Sequence, residues 1–185
     1  MSAVALVLLL LQVPEEPATV SETFDYYEVT GSTAAELRAS MDRNGPNKSP
    51  SGRSSAGFAQ WDVEWSYLWT ATSDECRLTR VSTSLTVNIT LPRWSSVDRP
   101  VELAARWRRF VDALRTHEDG HAQNGRDATR VIGEKLRALP PEPDCPALAA
   151  AIQKTAEGVL AEYRARDVSY DLRTAHGLTQ GTLFP

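Results

Sequence analysis

The hydrophobic periodicity of this chain changes near Asp98, and the change limits the folds that are open to it. Before that point, apolar and polar residues alternate in two segments, 58–70 and 76–91, as they do in strands with one buried face. The alternating apolar positions are Trp61, Val63, Trp65, Tyr67, Trp69, Leu85, Val87, Ile89 and Leu91. After Asp98, apolar residues recur every three or four positions, as on a helix. We therefore expect an antiparallel hairpin with a buried aromatic face, followed by helices.

Turn and capping residues place the other elements. Phe24–Thr30 has the composition of a short strand, and Thr33 with Glu36 resembles a capping box, which predicts a short helix through about Asp42. Asp98 and Pro100 predict the start of a long helix that runs to about Leu139. Asp144 and Pro146 predict the start of a second helix, and residues 170–185 are expected to be irregular. The predicted fold is α+β: an N-terminal antiparallel sheet with a short helix, then two long helices.

The first long helix carries the string HEDGH, residues 117–121. At about 3.6 residues per turn, His117 and His121 lie on one face of the helix, so both imidazoles can bind one metal ion. Glu118 then reaches the edge of the metal and can act as general base for a zinc-activated water. The string predicts a zinc hydrolase with two of its ligands in place.

Catalytic zinc commonly takes three protein ligands, so one more donor is needed. His176 is the first candidate because imidazole suits zinc and the chain has three histidines. Asp171 is the second candidate, either as a ligand or as an acceptor that orients a ligand histidine. Tyr170 is a candidate donor to the developing oxyanion, with simple packing as the alternative.

The net charge of the chain limits its binding partners, and its N-terminal segment and cysteines indicate its cellular compartment. The formal net charge of −4 gives no basic surface for nucleic acid, which favours a protein or peptide substrate. An apolar run from Ala3 to Val13 is too short to span a bilayer and fits an export signal, so residues 1–20 are expected to be that signal and 21–185 one domain. In a secreted or periplasmic chain, Cys76 and Cys145 are expected to form a disulfide.

Several motifs in order give a more specific resemblance. They are FDYYEVTG, AEL, NGP, WDVEWSY, the segment from Cys76 through LPRW, HEDGH, Cys145 and YDLRTAHG. As a set they resemble the DUF922 family of predicted secreted zinc-dependent proteases. The resemblance implies zinc, export and peptidase activity, with His117 and His121 as ligands, Glu118 as base and His176 as part of the site.

The leading hypothesis is therefore a secreted zinc-dependent peptidase or related amide hydrolase. Two alternatives stay open: an exported binding or assembly module in which Asp171 and three histidines close a structural metal site, and a cell-envelope amidase with the same chemistry. No stable membrane span is expected. The residues do not define the bond that is cleaved.

Overall fold

The computed structural model describes residues 13–46 and 55–184. It contains β1 (Thr19–Val29), α1 (Ala34–Asn44), β2 (Phe58–Ala71), β3 (Cys76–Trp94), α2 (Val101–Arg137) and α3 (Cys145–Thr174), followed by a 3-10 turn at Leu178–Gln180. The predicted α+β class is confirmed. Residues 1–12 of the predicted export segment lie outside the described ranges, and β1 already begins at Thr19.

The three strands form one sheet in the order β1-β3-β2. The predicted hairpin is confirmed, because β2 and β3 pair antiparallel from Phe58↔Thr90 to Ala71↔Cys76. The first strand departs from the expected antiparallel arrangement: β1 runs parallel to β3, from Thr19↔Ser84 to Val29↔Trp94. The sheet is therefore mixed, and β2 forms one of its edges.

The helices cover one face of the sheet, which receives the apolar side chains of β3. Leu85, Val87, Ile89 and Leu91 are all at most 2% exposed there, and each such burial stabilises the fold by roughly 1.5–3 kcal/mol. The aromatic stripe of β2 packs on the same side, since Trp61, Trp65 and Tyr67 lie partly buried against this core. A register shift at Leu68/Trp69 ends the alternation, and Trp69 is exposed.

Two predicted connections are confirmed. The Thr33 hydroxyl accepts the N–H of Glu36, and the Glu36 carboxylate accepts the N–H of Thr33, which completes the capping box of α1. Cys76 and Cys145 form a disulfide between the start of β3 and the start of α3.

Among the helices that the structure describes, none has the length and hydropathy that a bilayer crossing requires.

The helix ends differ from the prediction at two places. Pro100 is the N-cap of α2 and makes no side-chain cap bond, so Asp98 lies outside the cap position. The expectation that residues 170–185 are irregular is wrong for their first part, because α3 continues to Thr174 and includes Tyr170 and Asp171. The chain then reverses sharply through Ala175, His176 and Gly177, which all have positive φ. This conformation is costly for residues with a side chain and brings the following segment back toward α2.

Candidate metal centre

The HEDGH string lies in the middle of α2, with His117, Glu118 and His121 on the inner face of the helix and Asp119 exposed. His117 and Glu118 are each only 5% exposed, and His121 is partly exposed one turn further along. The same stripe of α2 carries Phe110 and Leu114, which belong to the core. The sequence therefore places the two histidines where packing holds their rings in fixed positions.

Helix α3 packs against α2 and presents Asp171 to both histidines. His117 Nε2 lies 3.2 Å from Asp171 Oδ1, and His121 Nε2 lies 3.1 Å from the same oxygen. One donor atom from each of the three residues falls within 4.8 Å of the others. The structure thus brings together the predicted pair and the second of the two candidates for the third position.

The other nitrogen of each ring also faces an oxygen. His121 Nδ1 lies 3.1 Å from Asp167 Oδ1, and His117 Nδ1 lies 2.9 Å from Gln180 Oε1. In the tautomer with the proton on Nδ1, each ring donates to that oxygen and directs the lone pair of Nε2 toward Asp171. Two imidazole lone pairs and a carboxylate oxygen converge on one point, an arrangement that a cation or an added proton stabilises.

The donor set fits zinc. Tetrahedral zinc with ligands at 2.0–2.1 Å separates neighbouring donor atoms by about 3.3 Å, close to the spacings between Asp171 and the two histidines. Two imidazoles and one carboxylate are a common protein set for catalytic zinc, and they leave a fourth position for water or substrate. His117, His121 and Asp171 therefore form a group of donors that could hold a metal ion.

Asp167 connects the site to the sheet. Its Oδ1 accepts from His121 and from Asn124 Nδ2 at 2.6 Å, and its Oδ2 accepts from Trp61 Nε1 at 2.8 Å. A carboxylate bonded in this way fixes the orientation of a ligand imidazole and increases its basicity. The Trp61 ring lies so close to Gly125 that a β-carbon there would come 2.8 Å from its Cγ.

Gln180 orients His117 from the segment that follows α3. Its amide nitrogen donates to the Tyr170 hydroxyl at 3.0 Å, which leaves its oxygen to accept from His117. The Tyr170 ring stacks on His117, with 5.1 Å between centroids and 15° between planes. The tyrosine hydroxyl is therefore engaged with Gln180, and Tyr170 supports the position of His117.

The Glu118 side chain is buried where α2 packs against the start of β2. Burial raises its pKa to about 7, the charge of Asp171 adds to this rise, and His121 and a hydrogen bond from the Ala59 backbone oppose it. A β-carbon at Gly57 would come within 2.7 Å of Glu118 Oε1, so the glycine leaves room for the carboxylate. A carboxyl with a pKa near neutrality can both accept and return a proton.

The two histidines differ in their electrostatic surroundings. Burial lowers the pKa of His117, which favours the neutral ring that binds metal. Burial also opposes the charged form of His121, but hydrogen bonding to Asp167 and the charges of Asp171, Asp167 and Glu118 outweigh it and raise the pKa. The acidic neighbours of His121 therefore favour positive charge at this position, whereas burial disfavours it at His117.

His176 lies at the border of this centre. Its Nδ1 is 3.6 Å from Asp171 Oδ2, and its side chain is 77% exposed. It is not one of the three grouped donors.

The sequence patterns did not predict Asp167 and Gln180 as part of the site. The four-residue spacing of Asp167 and Asp171 would have placed both carboxylates on one helix face.

A cleft of about 1000 Å³ opens beside the centre. His117, Glu118, His121 and Asp171 line it together with apolar residues of α1, α2 and the segment after α3. The donor atoms and the carboxylate of Glu118 therefore face the same cleft.

The fold and the site define an α+β protein in which one long helix carries an HExxH pair and the next supplies a carboxylate to a candidate metal centre. The chain belongs to the DUF922 family, described as bacterial proteins of unknown function, whose model matches residues 24–177. The matched range includes the three grouped donors and ends before Gln180. No curated protein and no solved structure matches the chain.

Proposed function

We propose that this protein is an exported zinc-dependent hydrolase that cleaves amide bonds in protein or peptide substrates. One observation carries the proposal: a ring nitrogen of His117, a ring nitrogen of His121 and a carboxylate oxygen of Asp171 lie together, and the buried carboxyl of Glu118 lines the same cleft. Export is supported by the disulfide, which persists in oxidising compartments.

The roles of the residues follow from their positions. His117, His121 and Asp171 would hold zinc, which when bound supplies a Lewis acid for the scissile carbonyl and acidifies a water molecule. Glu118, whose pKa burial raises to about 7, accepts the proton of the attacking water and returns it to the leaving amine. Asp167 and Gln180 keep both imidazoles in the tautomer that binds the ion. The contacts of Tyr170 favour a positioning role, and its predicted role as an oxyanion donor stays a prediction.

The test combines metal analysis with hydrolysis. We expect the purified protein to bind one zinc ion and to cleave an unfolded protein substrate in a chelator-sensitive manner. Glu118→Gln should keep the zinc and lose activity by about 10² to 10⁴-fold, the usual contribution of a general base. Glu134→Gln is the matched control, because Glu134 is an exposed glutamate on the same helix that pairs with Arg130. Full activity in Glu118→Gln, or the absence of stoichiometric zinc, would reject the proposal.

A closed structural metal site is the second candidate, and the position of His176 is the observation that favours it. A rotation of this exposed side chain, which already lies near Asp171, would add a fourth donor and exclude water. In that case the protein should bind zinc, unfold on chelation and show no hydrolysis that depends on Glu118. Substitution of His176 should then weaken zinc binding strongly.

A further inference from the structure

We propose that the cleft beside Glu118 binds a bulky apolar side chain of the substrate, of the size of leucine or phenylalanine, next to the bond that is cleaved. This inference rests on the proposed function for its chemistry, but the contacts that carry it concern binding alone. They come from α2, α1 and the segment that follows α3.

Helix α2 supplies the apolar wall nearest to the base. Phe110, Leu114 and Glu118 follow one another at intervals of four residues and all line the cleft. At a rise of 1.5 Å per residue, Leu114 lies about 6 Å and Phe110 about 12 Å from Glu118 along the helix axis. Both apolar side chains are only 3% exposed, so they form the packed base of the cleft, and the exposed part of its apolar lining comes from elsewhere.

The segment after α3 contributes to the lining of the same cleft with Leu178, Leu183 and Phe184. Phe184 is 5% exposed and packs on Trp107 and Phe110, with ring centroids 5.4 Å and 5.1 Å apart. Arg38 of α1 donates a hydrogen bond to the Phe184 carbonyl and anchors this wall. The wall is thus fixed by packing and by a hydrogen bond before any ligand arrives.

Two residues of this wall are apolar and yet exposed. Leu183 is 66% exposed and Leu178 is 53% exposed, and both line the cleft. An apolar ligand side chain would remove part of their surface from water, which is favourable by about 25 cal/mol per Å². A small side chain would leave the surface of Leu178 and Leu183 in contact with water, and a charged side chain would lose part of its hydration against these apolar residues.

Peptide binding tests the inference apart from catalysis. The probes are blocked tripeptide amides, acetyl-Gly-Xaa-Gly-amide with Xaa as Leu, Phe, Ala or Glu, titrated into Glu118→Gln protein by calorimetry. We expect the Leu and Phe peptides to bind at least about tenfold more tightly than the Ala peptide, and the Glu peptide to bind most weakly. Equal affinity for all four peptides, or no binding of any of them, overturns the proposal.

Surface variants locate the contact. In the same Glu118→Gln protein, Leu178→Ser together with Leu183→Ser should weaken binding of the Leu peptide several-fold. Leu172→Ser is the control, since Leu172 is 72% exposed on α3 and does not contribute to the lining of the cleft. An equal loss in the control protein overturns the proposal. Selective binding of Leu and Phe peptides by a protein whose parent never cleaves them supports the apolar subsite and rejects the proposed hydrolysis.

Discussion

Trp61 of β2 donates its indole N–H to Oδ2 of Asp167 on α3, and the other oxygen of that carboxylate accepts from His121. The edge strand of the sheet is thereby connected to a candidate metal ligand through one side chain. A carboxylate held from both sides restricts the imidazole to one orientation and one tautomer.

Asp167→Asn should lower zinc affinity by about 10- to 100-fold, because the amide is a weaker acceptor for His121 and has to turn its own N–H group away from it. Competition with a chromophoric chelator measures the affinity. Trp61→Phe keeps an aromatic ring and removes the donor, so its effect should be smaller. Unchanged affinity in Asp167→Asn would show that the histidine is oriented by packing alone.

Substitution of Asp171 and substitution of His176 should have different effects on zinc binding. Asp171→Ala takes away one of three grouped donors and should abolish stoichiometric zinc binding at micromolar protein, whereas His176→Ala should leave one zinc per chain. Mass spectrometry of the metal content after gel filtration distinguishes the two variants. The opposite pattern would assign the third ligand to His176.

Gly120 should tolerate no side chain while Tyr170 is present. A β-carbon at Gly120 would overlap the hydroxyl end of Tyr170, with its Cε1 atom 2.7 Å away. Gly120→Ala should therefore destabilise the protein, but in a Tyr170→Ala background it should be neutral or stabilising, as an alanine improves helix propensity by about 1 kcal/mol.

Gly158 on α3 provides the control for this cycle, because a β-carbon there would meet no atom within 4 Å beyond its chain neighbours and the adjoining helix backbone. Gly158→Ala should stabilise the protein by about 0.5–1 kcal/mol in either background. Urea unfolding of the four proteins and of the control gives the coupling energy. Additive effects of Gly120→Ala and Tyr170→Ala would mean that the two residues do not share this space.

The stability of the metal-free protein should decline between about pH 4.5 and pH 7 through Glu118. Burial raises the pKa of this carboxyl from its ordinary value of 4.5 to about 7, so over this range the folded protein keeps a proton that the unfolded chain releases. The contribution of Glu118 to stability is fully present below its pKa in the unfolded chain, 4.5, and is lost as the pH rises to its pKa in the folded protein, about 7.

Glu118→Gln removes that dependence. The comparison is made in buffer that contains a metal chelator. Between pH 5 and pH 8 the parent should lose roughly 1 to 3 kcal/mol more unfolding free energy than the variant does. Urea titrations at the two pH values measure it. A difference that does not change with pH would indicate that Glu118 is solvated in the folded protein.

The disulfide should contribute substantially to stability. Cys76 and Cys145 are 69 residues apart, and closing a loop of that length corresponds to about 4 kcal/mol in the chain-entropy model. We expect reduction, or Cys76→Ser with Cys145→Ser, to lower the melting temperature by several degrees or more. Identical melting curves with and without reductant would show that the bridge adds no stability.

The sequence predicted those parts of the site that depend on local spacing. His117, Glu118 and His121 are set by helix periodicity, and the capping box by four consecutive residues. The third donor was harder to predict, because hydrophobic periodicity fades where α3 enters the site. Its inward positions there are Asp167, Tyr170, Asp171 and Thr174, which follow helical spacing with polar side chains. Ligand preference then favoured a histidine over the aspartate that the helix presents.

Long-range pairing explains the other differences. The parallel alignment of β1 with β3 depends on a chain path through α1 that no local pattern encodes. Gln180 reaches His117 only because three consecutive residues with positive φ reverse the chain after Thr174. Of these three, Gly177 is the one whose sequence identity hints at such a conformation.

The order of the donors along the chain determines when, during synthesis, the group of three can first form. His121 precedes Asp171 by 50 residues, and most of α3 is synthesised between them. A chain that is still growing presents the two imidazoles before the carboxylate that completes the group exists. The group of three donors is therefore complete only after the last long helix has formed and packed against α2.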